Sequence, residues 1–108
     1  MRIQMATRHC DVPDDVLERA REQVASLSKF HPRATSADVV FEEERVSRKV
    51  EVIVHADGAP PVVGHGEADE FRAAVDQVVS RVGRMLREQR KKEREHQAPP
   101  LQDRVTGD

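Results

Sequence analysis

The first third of the chain shows two different spacings of hydrophobic residues. Residues 2–8 place apolar side chains at every second position, which is the period of a strand with one buried face. Residues 11–30 place them three and four positions apart, which predicts one stripe of a helix. The stripe consists of Val16, Leu17, Ala20, Val24, Leu27 and Phe30. Pro13 and the neighbouring aspartates favour the start of this helix, and the sequence HPR at 31–33 ends it.

The middle of the chain returns to the strand period. Residues 36–44 and 47–56 alternate apolar and charged side chains, so we predict two antiparallel strands joined by a short connection. Asp-Gly and Pro-Pro pairs at 56–61 indicate a turn. Residues 62–68 are then predicted as an edge strand, although the two glycines in this segment weaken strands.

The helical period reappears at residues 69–96. Seven apolar residues fall within an arc of about 120° at 100° per residue: Phe71, Val75, Val78, Val79, Val82, Met85 and Leu86. Near the opposite pole of the helix fall Arg84, Arg87, Lys91 and Arg94. Residues 97–108 have no periodicity, and we predict that they form a flexible tail.

The order of elements is strand, helix, strand, strand, strand, helix. A strand-helix-strand unit normally closes with parallel strands, and later strands can add antiparallel beside them. We therefore predict an α+β fold for residues 1–96: a two-layer sandwich in which two helices lie side by side on one face of a four-stranded mixed sheet. The other sheet face, with Asp38, Glu42 and Glu51, is predicted to face solvent.

Composition limits the size and the class of the protein. A chain of 108 residues with 37% hydrophobic and 35% charged residues builds one modest core. No apolar segment reaches the roughly 20 residues that span a bilayer, and the N-terminus lacks the apolar stretch of a secretory signal, so a cytoplasmic protein without a membrane partner is predicted.

The net charge of −2 hides a segregation of charge along the chain. Residues 37–70 hold nine acidic and three basic side chains, whereas residues 72–96 hold eight basic and four acidic ones. Such an asymmetry predicts that one surface attracts polyanions while another repels them.

The patterns of enzyme active sites are missing from the sequence. It contains no glycine-rich phosphate loop, no nucleophile elbow and no pair of histidines at metal-binding spacing, so we predict no catalytic residue, no metal and no cofactor. The five histidines are scattered and are predicted to face solvent. Cys10 has no partner for a disulfide and is predicted to be inert.

A charged outer face on a terminal helix is most often only solvated. Here three features favour nucleic-acid binding. Arginine outnumbers lysine, and its guanidinium binds phosphate through two parallel hydrogen bonds. Acidic residues are missing from 77–87, although a solvated helix would tolerate them. Finally, Arg19, Arg21 and Lys29 on the first helix could line a groove between the two helices.

The aromatic content restricts what such a groove could recognise. The chain has no Trp, no Tyr and three Phe, all at predicted core positions. Because proteins that read single-stranded bases stack them on exposed aromatic rings, sequence-specific reading is not expected. The pattern predicts recognition of folded RNA through phosphate, sugar and shape.

An ordered series of segments resembles one known family. It comprises IQMATRH at the start, LSKF at the end of the first helix, ADVVFEEE and KVEVIVHA in the paired strands, and GEADEFRAAVDQVVSRVGRMLREQRKKERE in the last helix. The chain is similar over residues 1–96 to the ribosome hibernation-promoting factors, a family that includes ribosome-associated inhibitor A and was formerly labelled sigma-54 modulation protein. The resemblance implies a β-α-β-β-β-α fold and a short form without the second domain of longer members.

The resemblance also implies a function. Members bind rRNA in the decoding channel of the small ribosomal subunit, and they block messenger and transfer RNA in stationary phase or under stress. The basic positions of the family match here at Arg8, Arg81, Arg84, Arg87, Arg90 and Lys92. The first helix departs from the family, because Arg19, Gln23 and Ser26 replace a usual tyrosine and two lysines. We expect Arg19, together with Arg72 in place of another aromatic residue, to restore the charge.

These observations predict a non-enzymatic translation inhibitor that is monomeric when free. Its predicted RNA-binding residues are Arg8, Arg19, Lys29, Arg81, Arg84, Arg87, Arg90, Lys91, Lys92 and Arg94. The alternative is a protein-interaction module, a transcription-related regulator whose acidic sheet face meets a basic protein.

Overall fold

A computed structural model describes residues 1–97, with side chains for residues 1–95. The elements are β1 (Arg2–Arg8), α1 (Asp14–Ala25), a 3₁₀ segment (Ser26–Phe30), β2 (Ala34–Glu43), β3 (Arg48–Ala56), β4 (Val62–Ala68) and α2 (Phe71–Gln97). This order confirms the predicted one. Of the predicted tail, Gln97 is the last residue of α2, and the remainder lies outside the described residues.

The four strands form one mixed sheet in the order β1-β2-β3-β4. β1 pairs parallel with β2 because α1 makes the crossover between them, whereas β2, β3 and β4 pair antiparallel through short connections. The predicted α+β fold, with its mixed sheet and two helices, is confirmed. In the connection between β3 and β4, Gly58 adopts a φ of 74°, the left-handed conformation that glycine accepts without strain.

The first helix begins and ends close to the predicted points. Pro13 is the residue before the helix, and Asp14 and Asp15 occupy the first turn, where negative charge is favourable. After Ala25 the chain tightens into the 3₁₀ segment. It stops at His31, which is extended because the following proline disfavours the helical conformation.

The core lies between the sheet and the two helices. Alternate strand residues point into it, and the helices add one stripe each. The buried apolar residues are Val16, Ala20, Val24, Leu27, Ala37, Val39, Phe41, Val50, Val52, Val54, Val62, Phe71, Ala74, Val75, Val78, Val82 and Leu86. The remaining strand residues form the open sheet face, on which Asp38, Glu42 and Glu51 lie as predicted.

Helix α2 lies directly against β4 because two glycines leave space for it. A Cβ atom built on Gly66 would collide with the backbone carbonyl of Ala74, and one on Gly64 would lie 2.5 Å from Cγ2 of Val82. The glycines that weakened the prediction of β4 are thus the residues that allow close packing. Met85, predicted in the buried stripe, is instead 40% exposed, because it lies on the flank of α2 beside the turn before β4.

Replacing Gly66 with alanine should destabilise the fold more than replacing Gly64. At Gly66 the obstacle is helix backbone, so α2 has to move, and we expect a loss of about 1–3 kcal/mol in the free energy of unfolding. At Gly64 the obstacle is a methyl group of the buried Val82, and a shift of this one side chain disturbs less of the structure than a shift of helix backbone. Urea unfolding followed by circular dichroism measures both variants. A Gly66→Ala protein as stable as the wild type would contradict this account of the packing.

Candidate nucleic-acid interface

The two helices run in the same direction, but α2 continues well past α1. Three contacts mark successive levels along α2: Arg19 with Asp76, Phe30 with Gly83, and His31 with Glu93. The basic part of α2 therefore lies beside the 3₁₀ segment and the start of β2. It extends beyond the region in which α1 could form the second wall of a groove.

The predicted groove between the helices is only partly present. Nη2 of Arg19 contacts both carboxylate oxygens of Asp76, at 3.1 and 3.3 Å, so its charge is already paired. The guanidinium of Arg21 lies on the far side of α1, where it donates to the carbonyl of Ile3 at 3.4 Å. Arg19 thus lies between the two helices but is paired with a carboxylate of α2, whereas Arg21 points away from α2, so these two residues do not form the expected arginine-rich groove.

The basic residues of α2 share the outer side of the helix with the exposed Glu88 and Glu95, and we call this set of basic residues the basic ridge. Its members are Arg81, Arg84, Arg87, Arg90, Lys91, Lys92 and Arg94. At 100° per residue they cover an arc of about 200°, from the flank facing the 3₁₀ segment to the flank facing β4. All are exposed except Arg90, which is half-buried.

The basic ridge concentrates on one helix seven cations that have no acidic partner among the described residues. Among the other cations of residues 1–95, four are paired at 3.0–3.3 Å, in Arg19–Asp76, Arg33–Glu93, Arg48–Glu43 and Lys49–Glu44, whereas Arg2, Arg8, Arg21, Lys29, Arg45 and Arg72 are unpaired and lie apart on different elements. Within residues 1–95, no ion pair involves a residue of the basic ridge. Seven positive charges therefore remain available to an external anion.

The two flanks of the basic ridge have different neighbours. On one flank Cζ of Arg87 lies 4.8 Å from the ring centre of Phe30, and Nζ of Lys29 lies 5.2 Å from the same centre. On the other flank Arg81 donates to the carbonyl of His65 on β4 at 2.7 Å. Lys92 lines a groove beside the β3–β4 turn. The predicted residue Lys29 thus adjoins the basic ridge, even though the groove does not form.

The predicted contact Arg8 lies elsewhere. Ile3 and Met5 pack against the core, so strand alternation directs Arg8 to the open sheet face, where it is aligned with Glu42 of β2. The sheet separates it from α2. Arg8 and the basic ridge therefore do not form one contact surface.

His31, predicted to face solvent, is completely buried. Its Nδ1 accepts a hydrogen bond from the backbone N–H of Arg33 at 3.3 Å, so the ring proton is on Nε2, which donates to the Glu93 carboxylate at 3.2 Å. Arg33 donates to the same carboxylate at 3.0 Å. These bonds connect the C-terminal part of α2 to the segment before β2. They fix the direction in which the basic ridge projects.

Several carboxylates of the open sheet face make hydrogen bonds within the domain. Asp38 contacts His55 at 3.1 Å, and Glu51 contacts His65 at 3.0 Å. At the edge of this face Glu67 accepts a hydrogen bond from the Ser47 hydroxyl at 2.6 Å. A basic partner would have to compete with these internal contacts.

Other kinds of site find no support in the part of the chain that the structure describes. No group of three or more His, Cys, Asp and Glu side chains there is placed to hold a metal ion. Cys10 is half-buried, and its thiol lies 3.6 Å from the carbonyl of Phe41. No helix within residues 1–97 is long and apolar enough to cross a bilayer.

Comparison with known proteins gives this arrangement a family. Residues 3–94 match the model of the family described as sigma 54 modulation protein / S30EA ribosomal protein. The chain belongs to this family. The predicted membership is confirmed, and the match extends through the basic ridge.

Individual relatives of the S30EA family agree with the assignment. The chain is 28% identical over 97 residues to the ribosome hibernation promoting factor of Azotobacter vinelandii, covering 90% of each chain. It is 23% identical over 93 residues to the factor of that name from Pseudomonas putida, covering 86% of this chain and 90% of the relative. The names of these relatives support the coarse prediction of a ribosome hibernation factor.

Two solved structures share the fold. A ribosomal subunit interface protein from Coxiella burnetii superposes with a TM-score of 0.78 at 16% identity, covering 84% of this chain and 99% of the other. The N-terminal domain of Thermus thermophilus Protein Y superposes with a TM-score of 0.73 at 21% identity, covering 82% and 98%. At these identities the likeness establishes the fold alone.

The Glu93 contacts predict a pH dependence of stability. The hydrogen bond from His31 and the charge of Arg33 hold the pKa of Glu93 below its ordinary value of 4.5. A carboxylate with a lowered pKa stabilises the folded state above the ordinary value, and this stabilisation is lost as pH falls through the lowered pKa. The difference in unfolding free energy between wild type and Glu93→Gln should therefore be greatest near about pH 7 and decrease below about pH 4.5.

Urea unfolding at several pH values measures this difference. Glu95→Gln on the same helix is the matched control, because Glu95 is exposed and makes no ion pair within the described residues. Its effect should be small at every pH. If Glu93→Gln lowered the unfolding free energy by the same amount at every pH, the charge of the carboxylate would not be what holds α2 in place.

Proposed function

We propose that this domain binds rRNA in the decoding channel of the small ribosomal subunit and occludes the path of messenger and transfer RNA. The observation that carries the proposal is the basic ridge: seven cations on one helix without an acidic partner among the described residues. Phosphate oxygens of a folded RNA supply the missing partners. The family membership and the names of the relatives support the ribosome as the source of that RNA.

The mechanism needs no chemical step. A rigid domain inserted between RNA surfaces excludes other ligands from the volume it occupies, and affinity comes from phosphate contacts and shape. Arginine suits this role because its fork can hold two phosphate oxygens at once. Inhibition then depends on occupancy, so it reverses when the domain dissociates. We infer that the protein acts in this way in the cytoplasm, in stationary phase or under stress.

The alternative, a module that binds a basic protein through the open sheet face, has weaker support. Three of its carboxylates, Asp38, Glu51 and Glu67, already contact a histidine or a hydroxyl within the domain. A partner would gain little from pairs it has to break first. We therefore place the functional surface on α2.

Charge reversal on the basic ridge should abolish binding to small subunits. Arg84→Glu, Arg87→Glu and Arg90→Glu together remove three phosphate contacts and add repulsion, so we expect affinity to fall roughly 100-fold or more at moderate salt. Co-sedimentation with purified small subunits measures the loss. In the same assay, a short messenger with initiator transfer RNA should displace the wild-type protein, because the two share one path.

The matched control reverses three other arginines, with the same change in net charge. Arg2→Glu, Arg21→Glu and Arg45→Glu lie on β1, on the far side of α1 and in the β2–β3 connection. This variant should keep most of the affinity. An equal loss in both variants would show that overall charge, rather than the basic ridge, determines binding.

The salt dependence of the binding constant measures how many phosphates the protein contacts. If about six of the seven cations neutralise a phosphate, the logarithm of the binding constant should fall with the logarithm of salt concentration at a slope of about −4 to −5. Fluorescence anisotropy of labelled protein titrated with small subunits gives this slope. A slope near about −1 is incompatible with a surface of this size as the main contact.

A further inference from the structure

Among the residues of the basic ridge, Arg87 alone has its charged group over an aromatic ring. Its guanidinium lies over Phe30, with Cζ 4.8 Å from the ring centre. Within residues 1–95, the arginines that donate side-chain hydrogen bonds are Arg19, Arg21, Arg33, Arg48 and Arg81. Arg87 is not among them, so its orientation uses none of its N–H donors.

The position of the ring follows from a gap in the surface of α2. Phe30 is the last residue of the 3₁₀ segment, and its ring lies against Gly83, where a Cβ atom would be 3.2 Å from Cε2 of Phe30. Cδ2 of Leu27 would be 3.5 Å from this added Cβ atom. Any side chain at position 83 would thus push the ring outward. Phe30 remains half-buried, with one side of the ring reaching the surface.

The direction of helical side chains brings Arg87 to this ring. Gly83 and Arg87 are four positions apart, so they lie one above the other on the same side of α2. Side chains on a helix lean toward its N-terminus, and that of Arg87 therefore extends over the turn that contains Gly83. The ring occupies the space above this turn, and Cζ of Arg87 lies over it. The five N–H groups of a guanidinium lie in its own plane, so a guanidinium stacked on a ring keeps them available for other acceptors.

We propose that Phe30 is a positioning residue for RNA binding, which holds the Arg87 guanidinium flat so that its N–H edge is presented to a phosphate group. The proposal rests on the proposed function, because it assumes that the basic ridge contacts phosphate. A stacked guanidinium has lost part of its rotamer freedom before binding. Less freedom is then lost when the phosphate arrives, which strengthens binding without a direct contact from Phe30.

A double-mutant cycle on small-subunit binding tests the link. Phe30→Leu keeps an apolar side chain but removes the ring face, and we expect affinity to fall about two- to fivefold, the scale of an exposed cation–π contact. Arg87→Ala should cost at least as much. Because Nζ of Lys29 also lies over this ring at 5.2 Å, the cycle is run in a Lys29→Ala background, in which Phe30→Leu should have no further effect once Arg87→Ala is added. Equal losses from Phe30→Leu in both backgrounds would overturn the proposal.

Two controls separate positioning from general stability. Phe30→Tyr retains the ring and should restore wild-type affinity, whereas a defect that persists in this variant contradicts a role for the ring face. Thermal unfolding of each variant establishes that the binding assays compare folded proteins.

A measurement on the free protein distinguishes failure of this proposal from failure of the proposed function. In a proton–nitrogen NMR spectrum, stacking should move the Nε–H signal of Arg87 upfield relative to the other arginines of the basic ridge. Phe30→Leu should remove this shift, and Phe30→Tyr should keep it. If the shift is present but the wild type does not bind small subunits, Phe30 positions Arg87 and the ribosomal function is wrong. If the wild type has no such shift, the positioning role is wrong regardless of binding.

Discussion

The packing of α2 on β4 is the contact on which the rest of the domain depends. Because Gly64 and Gly66 have no side chains, the helix backbone approaches the strand closely, and Val78 and Val82 face the sheet. This contact fixes the rotation of α2 about its axis. A turn of one residue position, about 100°, would bring charged side chains against the core, and burying them without partners costs several kcal/mol each. The direction of the basic ridge is therefore a consequence of two glycines on the neighbouring strand.

The concentration of positive charge on α2 has an energetic cost that other contacts offset. Six pairs of basic residues stand three or four positions apart: 81–84, 84–87, 87–90, 91–94, 87–91 and 90–94. Six pairs of opposite charge stand at the same spacings: 84–88, 88–91, 88–92, 90–93, 91–95 and 92–95. At about 0.2–0.5 kcal/mol for each pair of either kind, the two sets nearly cancel within the helix. Glu93 adds contacts outside the helix, because it also bonds to His31 and Arg33.

Hydrophobic periodicity was sufficient to predict the elements and the fold. Each element buries one face, and the spacing of its apolar residues identifies both the type of element and the buried face. Lateral neighbours were harder to predict. Periodicity places Arg19 on an exposed side of α1, but only the approach of α2 brings Asp76 to it. Met85 falls at the margin of its stripe, and the width of the contact with the sheet decides whether it is buried.

Phe30 and His31 are the two residues whose environments the sequence predicted least well, again because their neighbours lie on a distant element. Phe30 ends the 3₁₀ segment and His31 follows it, and the local pattern there assigns the phenylalanine to the core and a histidine before proline to solvent. Their actual environments depend on residues more than fifty positions later: Gly83 and Arg87 for Phe30, and Glu93 for His31. In the sequence, the signal for this contact was Gly83, a lone glycine inside an otherwise regular helix. It indicated that something packs against that turn, but not which residue.

An overall negative charge does not prevent binding to a polyanion, and the layering of the fold explains why. The open sheet face and the outer side of the basic ridge, around Arg84 and Lys91, are separated by a sheet and the diameter of a helix, roughly 15–20 Å in all. At physiological ionic strength the Debye length is about 8 Å, so charges on one face are strongly screened at the other. Two of the carboxylates on the open sheet face, Asp38 and Glu51, are also hydrogen-bonded to His55 and His65. An approaching phosphate therefore responds to the seven cations nearest to it rather than to the net charge of −2.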